Sequence, residues 1–445
     1  MMVTIWRALS AQGRRALRTA WQLSAPVRRT LRTIWPLFAP VRKALRTSRA
    51  RLYLAVAIAA VVLAILFGPL LLERGETSTT VAAVSTGQPA PTQQGAALIA
   101  QLALHVHGNL LVTRAGRSVT LHGVNRDGSD FLCAEGTGIF DGPIGANSTA
   151  ALLAWHINAV RIPMNEACWL GMPGVPSQYG GSAYQNAIAA YVQALTEQGI
   201  YVILDLHKSA PGNAISAHKL NPMPDADHSV AFWSQVATRF RGNGMALFDL
   251  FNEPHAVSWQ CLRDGGSCAG APYRTAGMQT LVDTVRATGA RNVIMVSGLR
   301  YTNDLSQWLT YEPHDPLNNI AASWHVYTLN SVCARTACYD RILAPVAARV
   351  PLIAGEFGAD QTGASCLQSA EDQVSVMLDW LDQHQANYIA FSWNVGKQRC
   401  GSLALINDYA GNPHAPNGTA YKAHLLALFA AATTPPESPP HGRVP

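Results

Sequence analysis

The first 72 residues contain no aspartate or glutamate, although they hold 12 of the 33 lysines and arginines in the chain. The rest of the chain has 21 basic and 27 acidic side chains, so its charge balance is reversed. This argues against one common environment, and we expect the two parts to face different surroundings. The chain also lacks His-Glu-x-x-His and Cys-x-x-Cys, the usual sequence signs of a metal site. We therefore predict no metal ion and no cofactor.

No charged residue interrupts residues 52–72, LYLAVAIAAVVLAILFGPLLL. A helix of this length crosses a bilayer core of roughly 30 Å, so we predict a transmembrane signal anchor. Basic residues crowd its N-terminal side, which places the N-terminus in the cytoplasm and the remaining chain outside the cell membrane. The alternative is a cleaved signal peptide and a secreted protein. The long polar lead and an apolar core beyond the usual length of about 7 to 15 residues argue against cleavage.

The basic segment at 1–51 repeats an Arg/Lys-rich sequence every 14 residues, at 14–19, 28–33 and 42–47. Tryptophan, leucine and phenylalanine side chains lie between the repeats. This composition suits the anionic inner leaflet of a membrane, where each cation near the surface contributes about 1 kcal/mol. Nucleic-acid binding is the weaker alternative and is not expected. A role restricted to fixing the membrane topology is at least as well supported.

The residues after the span divide by composition. Residues 73–104 are rich in Thr, Ser, Gln, Pro and Ala and predict a flexible linker, and residues 432–445 form a Pro-rich tail. Between them, residues 105–431 alternate apolar runs with amphipathic segments after a short hairpin at 107–117. This pattern favours a single (β/α)8 TIM barrel with a parallel sheet. We predict its eight strands at residues 119–124, 159–163, 201–206, 247–252, 292–296, 321–327, 352–356 and 388–393.

No cysteine precedes the apolar span, and all eight follow it, which matches an oxidising compartment. On this strand map every cysteine lies in a loop at the C-terminal ends of the strands. Eight thiols permit 105 pairings. We expect disulfides between cysteines that are neighbours in this arrangement, which would hold the long loops of that face: Cys133–Cys168, Cys261–Cys268, Cys333–Cys338 and Cys366–Cys400.

Two glutamates each close a short apolar run that is typical of a buried parallel strand. Glu253 lies in FDLFNEP at 248–254, and Glu356 lies in PLIAGEFG at 351–358. The C-terminal ends of barrel strands meet at one face, so the two acids can converge although they are 103 positions apart. The pair suggests glycoside hydrolysis, in which one carboxylic acid protonates the leaving oxygen and one carboxylate attacks or activates water.

Other polar residues end the predicted strands, where buried polar groups are costly without a purpose. They occur in the order Arg161, His207, Asn252 with Glu253, His325, Tyr327, Glu356 and Trp393. In this ordered set the chain resembles glycoside hydrolase family 5, the large cellulase family, over roughly residues 106–429. All eight positions match the family pattern.

The resemblance implies that Glu253 is the general acid/base and Glu356 the nucleophile of a retaining reaction. It further implies that Arg161 and Tyr327 hydrogen-bond Glu356 and that Asn252 holds the substrate 2-hydroxyl. His207 and His325 would line the sugar subsite at the cleaved bond, and Trp393 would form its floor. These roles agree with the chemistry of the side chains, because a retaining site needs one protonated and one ionised carboxyl group.

Two further tryptophans lie in loops that carry cysteines, after the second and fourth strands. Trp169 and Trp259 can either stack against a glycan or pack within their loops, and the residues alone favour neither role.

We interpret the sequence as a membrane-anchored, endo-acting glycoside hydrolase that cleaves β-1,4-linked polysaccharide, with β-glucan such as cellulose as the first candidate. A β-mannanase, or another β-glycanase or exo-β-glycosidase of the same family, is the alternative, because loops set specificity on a shared fold. A membrane-anchored glycan-binding protein without activity is the non-enzymatic alternative. The presence of both carboxylates argues against it, since binding alone needs neither.

Overall fold

The computed structural model describes residues 92–327, 333–359, 366–397 and 402–433. The basic segment, the predicted span at 52–72, most of the linker and most of the Pro-rich tail lie outside these residues. Among the described helices, none combines the length and the apolar character that a bilayer crossing requires.

In chain order the strands of the described residues are β1 (Leu104–His107), β2 (Leu110–Thr113), β3 (Ser118–Val119), β4 (His122–Asn125), β5 (Ala159–Asn165), β6 (Tyr201–Lys208), β7 (Ala246–Asp249), β8 (Gly265–Ser267), β9 (Arg274–Ala276), β10 (Ile294–Ser297), β11 (Ile320–Tyr327), β12 (Leu352–Gly358) and β13 (Asn387–Ala390). Eight of them are parallel and form a closed barrel in the order β10-β11-β12-β13-β4-β5-β6-β7, and two small antiparallel sheets accompany it. The predicted (β/α)8 barrel is confirmed, and the predicted hairpin is part of the three-stranded sheet β1-β2-β3.

Helices follow most barrel strands and pack around them. They are α1 (Gln93–Leu102), α2 (Leu132–Glu135), α3 (Ala146–Leu153), α4 (Glu166–Leu170), α5 (Ser182–Thr196), α6 (Ser229–Phe240), α7 (Trp259–Asp264), α8 (Met278–Ala287), α9 (Thr336–Cys338), α10 (Ala344–Ala347), α11 (Cys366–Gln383) and α12 (Asn417–Thr433). A π-helical turn at Tyr339–Leu343 joins α9 to α10, and 3-10 turns lie at Pro211–Asn213 and Trp308–Thr310.

The alternation of side chains along the strands positions the polar residues inside the barrel. In β5, Val160 and Ile162 point outward and pack with the helices. Ala159 belongs to a separate apolar cluster, which contains residues in or next to each of the eight barrel strands. Because successive side chains of a strand point to opposite faces, Arg161 lies inside the barrel, above Ala159. The same alternation in β6 places Asp205 inside, two residues after Ile203 of the apolar cluster. Polar side chains therefore form the upper layer of the barrel interior.

The linker prediction for residues 73–104 is wrong at its C-terminal end, because residues 93–102 form α1. The Thr92 side chain accepts a hydrogen bond from the Gly95 backbone N–H and caps the helix N-terminus. Ile99 is buried in the apolar cluster that fills the lower part of the barrel. Burial of this apolar side chain against the barrel outweighs the polar composition that suggested a flexible segment.

Three of the four expected disulfides are present: Cys133–Cys168, Cys261–Cys268 and Cys333–Cys338. Each lies in loops or short elements that follow the C-terminal ends of barrel strands. The fourth expected pair, Cys366–Cys400, includes a residue outside the described part of the chain. The three bridges hold loops of the face to which the polar residues point.

Removing the longest of these bridges is expected to destabilise the protein more than removing the shortest. The bridges close sequence separations of 35 and 5 residues for Cys133–Cys168 and Cys333–Cys338, and chain entropy then gives losses of about 4 and about 2 kcal/mol in the free energy of unfolding. Urea unfolding of the two double Cys→Ser variants measures this difference. Equal losses, or a larger loss for Cys333–Cys338, would contradict the entropic account.

Candidate active site

Glu253 and Glu356 lie together at the C-terminal end of the barrel. Glu253 follows the end of β7 by four residues, and Glu356 belongs to β12. His325 of β11 lies between them, with its Nδ1 atom 3.1 Å from Glu253 Oε1 and 3.7 Å from Glu356 Oε2. One atom of each of these three side chains lies within 4.8 Å of the others. The convergence expected from the two separate motifs is therefore present.

A register shift in the sheet turns Glu356 toward the barrel interior. Trp324 pairs with Ala354, but the next residue, His325, pairs with Glu356, so Gly355 is an additional residue in β12. Ile353 already faces the interior, and regular alternation would point Glu356 outward. A Cβ atom at Gly355 would lie 3.0 Å from both His325 Nε2 and Ser323 Oγ. The glycine thus permits the shift and the close approach of His325.

Gly355→Ala is expected to lower kcat/KM by about 10²-fold, because displacement of Glu356 or His325 by roughly 1 Å misaligns the reacting groups. Overpacking should also lower the free energy of unfolding by about 1 to 3 kcal/mol. Gly242→Ala is the matched control, since no atom lies within 4 Å of its added Cβ. Steady-state kinetics and urea unfolding measure both effects, and a Gly355→Ala protein that matches the control in both would contradict this role of the glycine.

Arg161 organises the carboxylates from below. Its guanidinium donates hydrogen bonds to Glu356 Oε1 at 2.8 Å and to Asp249 Oδ2 at 3.0 Å, and it lies 3.0 Å from Asp205 Oδ2. Burial by itself would lower the pKa of Arg161, but the three carboxylates together raise it above its ordinary value. The guanidinium therefore stays charged and holds Glu356 in one orientation.

Tyr327 completes the environment of Glu356. Its hydroxyl donates a hydrogen bond to Glu356 Oε2 at 2.6 Å. Burial, reinforced by the charge of Glu356, raises the pKa of Tyr327 well above its usual value, so the phenol keeps its proton. With Arg161 on one oxygen and Tyr327 on the other, both Glu356 oxygens accept hydrogen bonds, which fix the orientation of this carboxyl group.

Glu253 is in a different environment. Burial raises its pKa to about 7, against the lowering effects of Arg161 and His255. Burial also lowers the pKa of His325 to about 3, so this imidazole is neutral beside Glu253. Glu253 can therefore hold a proton near neutral pH. The two carboxyl groups of the site thus have different environments: Glu356 accepts hydrogen bonds on both oxygens, whereas burial dominates at Glu253.

His207 and Asn252 form a connected pair next to the carboxylates. The Asn252 Oδ1 atom accepts a hydrogen bond from Arg161 at 2.9 Å, which directs its amide nitrogen toward His207 Nε2 at 3.4 Å. Asp205 Oδ2 lies 2.7 Å from His207 Nδ1. Burial lowers the pKa of His207 well below its usual value, so its ring is neutral. A proton on Nδ1 that is donated to Asp205 leaves Nε2 as the acceptor for Asn252.

The structure corrects the role expected of Trp393 as the floor of the sugar subsite. Its side chain is fully buried and packs edge-to-face against Trp155 at a centroid distance of 5.0 Å, so it has no open face for a sugar. It lies three residues beyond β13, outside the strand predicted to end there. Phe391 is the aromatic residue on the site side: its half-buried ring lies edge-on to Tyr327 at 6.2 Å.

The structure also assigns Trp169 and Trp259 to packing and not to sugar stacking. Trp169 is 1% exposed and packs against Phe232, with its indole N–H donating to Gln235. Trp259 is buried and stacks on Tyr311 at 6.3 Å. The short helices that carry these rings are packed against neighbouring elements: α4 lies on β5 and β6, and α7 lies on α8 and β8.

Several residues of the site were missed in the sequence. Asn125 accepts a hydrogen bond from Arg161 at 2.9 Å, and its amide nitrogen donates to the Gly355 carbonyl oxygen at 2.9 Å. Asp205 and Asp249 bind the same guanidinium. Asp205 and Asp249 are acids within runs of buried apolar strand residues. That pattern is a usable signal, because a buried acid requires a partner.

Glu253, His325 and Glu356 carry carboxylate and imidazole atoms of the kinds that bind metal ions. Arg161, however, already supplies a positive charge 2.8 Å from Glu356, and Tyr327 bonds its second oxygen. We therefore assign this cluster to acid–base chemistry.

Comparison with known proteins agrees with this geometry. Endoglucanase 1 of Robillarda sp. is 28% identical over 195 residues, 39% of this chain and 46% of that protein. Endoglucanase E-5 of Thermobifida fusca is 23% identical over 286 residues, 62% of this chain and 53% of that protein. The chain thus spans about half the length of these relatives.

Solved structures show the same fold. A beta-glucanase from Saccharophagus degradans, crystallised with cellotetraose, has a TM-score of 0.55 at 20% identity and covers 76% of this chain and 98% of its own. The catalytic domain of Thermobifida fusca endoglucanase Cel5A has a TM-score of 0.52 at 18% identity, with coverages of 73% and 98%. The family model described as cellulase, glycosyl hydrolase family 5, matches residues 124–397, more than half of the sequence. The chain belongs to glycoside hydrolase family 5.

Proposed function

We propose that this protein is a retaining, endo-acting glycosidase that cleaves β-1,4-linked polysaccharide. The observation that carries the proposal is the contrast between two adjacent carboxyl groups. Arg161 and Tyr327 bond Glu356 on both oxygens, whereas burial raises the pKa of Glu253 to about 7. Glu356 then serves as the nucleophile and Glu253 as the acid that protonates the leaving oxygen.

The closeness of the carboxylates supports retention of the anomeric configuration. An oxygen of Glu253 and an oxygen of Glu356 lie within 4.8 Å. Retaining enzymes place these groups about 5 to 5.5 Å apart, and inverting enzymes need about 6.5 to 9.5 Å for an intervening water. In the second step of the reaction, Glu253 acts as base and activates the water that releases the sugar from Glu356.

An exposed aromatic platform beside Glu253 supports binding of an extended glycan. Tyr301 is 50% exposed and stacks on His255 at a centroid distance of 4.3 Å. The His255 ring is fixed in turn by its Nδ1 atom, 2.8 Å from the Glu253 carbonyl oxygen. A flat ring next to the acid suits a sugar on the leaving-group side of the cleaved bond. Beside Tyr327, which bonds Glu356, we propose that Phe391 takes the floor role expected of Trp393.

β-Glucan is the first substrate to test, since relatives of this chain are named endoglucanases. β-Mannan is the second, because a Caldicellulosiruptor saccharolyticus relative, 21% identical over 289 residues, is named beta-mannanase/endoglucanase A. The purified full chain should be assayed against soluble β-1,4-glucan, mixed-linkage glucan and mannan, with product lengths recorded. A rapid fall in polymer length supports endo action on the preferred glycan. Release of only mono- or disaccharides would contradict it.

The pH dependence of kcat/KM should be bell-shaped, with an alkaline limb near pH 7. Glu253 must carry a proton to act as the acid, and a pKa raised to about 7 keeps it protonated up to that pH. Activity is therefore lost as pH rises through this value. Asp130→Asn is the control, because burial raises the pKa of that nearby carboxyl to about 8. If the alkaline limb moves in Asp130→Asn but stays in place in Glu253→Gln, the limb belongs to Asp130, and the acid role of Glu253 is contradicted.

A catalytically inert glycan-binding protein remains the alternative from another class. It predicts tight binding of oligosaccharides with no reducing ends released, even after prolonged incubation. The same assay panel therefore separates the two.

We further propose that residues 52–72 anchor the protein in the cell membrane with the barrel outside. Three disulfides at the catalytic face support an oxidising compartment. Carbonate extraction of membranes, combined with protease treatment of intact cells, tests the proposal. A soluble full-length protein, or a barrel protected from protease in intact cells, would contradict it.

A further inference from the structure

A second cluster of buried acids lies apart from the catalytic carboxylates, in the segments that follow β5 and β6. Glu166 is the first residue of α4, directly after β5, and Asp225 and His228 precede α6. One ligand atom from each of the three lies within 4.8 Å of the others. Glu166 and Asp225 are both 0% exposed. Sequence motifs did not predict this cluster, because its members come from different loops.

The two carboxylates share one hydrogen-bond donor. The Ala210 backbone N–H donates to Glu166 Oε2 at 2.7 Å and to Asp225 Oδ2 at 3.1 Å. These oxygens are therefore neighbours. Asp225 Oδ1 also accepts a hydrogen bond from the His228 backbone N–H at 2.8 Å, but neutral donors do not offset the charges of the two acids when both are ionised. In the described part of the chain, no lysine or arginine forms an ion pair with either acid, and His228 is the sole basic partner of Asp225.

Two further atoms of the cluster are available to a ligand. Glu166 Oε1 is buried and has no hydrogen-bond partner among the described residues. His228 Nδ1 lies at ion-pair distance from Asp225 Oδ1, 3.3 Å, but it makes no hydrogen bond to a described residue. An unpartnered oxygen on a fully buried carboxylate requires a positive charge or a donor to offset its desolvation.

We propose that Glu166, Asp225 and His228 bind a divalent cation. Two carboxylate oxygens and one imidazole nitrogen suit Mn²⁺ or Zn²⁺ better than Ca²⁺, which takes oxygen ligands. The cation neutralises both acids, and water completes its coordination. Because the ligands lie in the loops after β5 and β6, the ion ties together the segments that follow Arg161 and His207. Its role is structural and independent of the proposed hydrolysis.

The probe is Mn²⁺, added to purified full chain that has been treated with EDTA and dialysed. We expect binding of one Mn²⁺ per chain, measured by electron paramagnetic resonance of the free ion. The melting temperature should rise by about 5 °C at a hundredfold excess over Kd. Glu356→Gln should bind Mn²⁺ with unchanged affinity, which separates this site from the catalytic carboxylates and from the outcome of the activity assays.

Variants then locate the ion. Glu166→Gln should weaken binding at least 100-fold, and His228→Gln, at the partly exposed rim, about 10-fold. Glu135→Gln is the matched control, because Glu135 forms an exposed pair with His218 at 2.9 Å, and its variant should bind as the parent does. If Glu166→Gln does not fold, the stoichiometry of the parent and the His228→Gln affinity still decide the matter.

Absence of Mn²⁺ and Zn²⁺ binding at 1 mM would overturn the proposal. A Glu166→Gln protein more stable than the parent would also contradict it, because that result shows a proton, and not a cation, between the two acids. Unchanged affinity in both variants would place the ion elsewhere.

Discussion

Glu356→Gln is expected to lower kcat by roughly 10⁴- to 10⁶-fold, the range found when a covalent nucleophile is removed. The amide cannot form the glycosyl–enzyme bond, and it cannot accept hydrogen bonds on both atoms as the carboxylate does from Arg161 and Tyr327. Steady-state rates on the preferred glycan measure the loss.

Circular dichroism and melting temperature of Glu356→Gln separate this loss from misfolding. Glu135→Gln, an exposed acid on the same face, should keep parental kcat. Near-parental turnover in Glu356→Gln would overturn the assignment of the nucleophile.

Glu253→Gln is expected to divide substrates by their leaving groups. On polysaccharide the loss in kcat should be about 10²- to 10⁴-fold, the usual contribution of a general acid. An aryl glycoside with a good leaving group needs little protonation, so its first step should proceed at close to the parental rate. Pre-steady-state kinetics should then show a burst of phenol followed by slow turnover, because Glu253 is also the base of the second step.

Azide provides the control for Glu253→Gln, since this anion needs no general base and should restore turnover of the aryl substrate. Equal losses on both substrate classes, with no rescue by azide, would contradict the acid/base role.

The barrel could be predicted because eight apolar runs alternate with amphipathic segments. The two-residue period of a strand then predicts which side chains point into the barrel. Once β5 and β6 are placed, the inward positions of Arg161 and His207 follow from the alternation of side chains. The two glutamates could be found for the same reason, since each ends a buried run. The additional residue Gly355, which turns Glu356 inward, leaves no sign in the hydrophobic pattern.

The errors have physical causes. The family resemblance implied a site role for Trp393 at the end of the last predicted strand, but that strand ends three residues earlier, and packing against Trp155 decides where the ring points. Trp169 and Trp259 could not be resolved because a tryptophan in a loop has equal reason to pack or to bind. The helix at 93–102 was missed because its stability comes from burial of Ile99 against the barrel, a contact remote in the sequence.

The account rests on a covalent bond between Glu356 and the sugar, and trapping that intermediate tests it most directly. The full chain should be treated with a 2-deoxy-2-fluoro β-glycoside of the preferred sugar, which slows breakdown of the intermediate, and then digested for peptide mass spectrometry. We predict one adduct per chain, on the peptide that contains Glu356, and none in Glu356→Gln. An adduct on Glu253, or turnover of the activated fluoroglycoside with no adduct in the parent protein, would contradict the assignment.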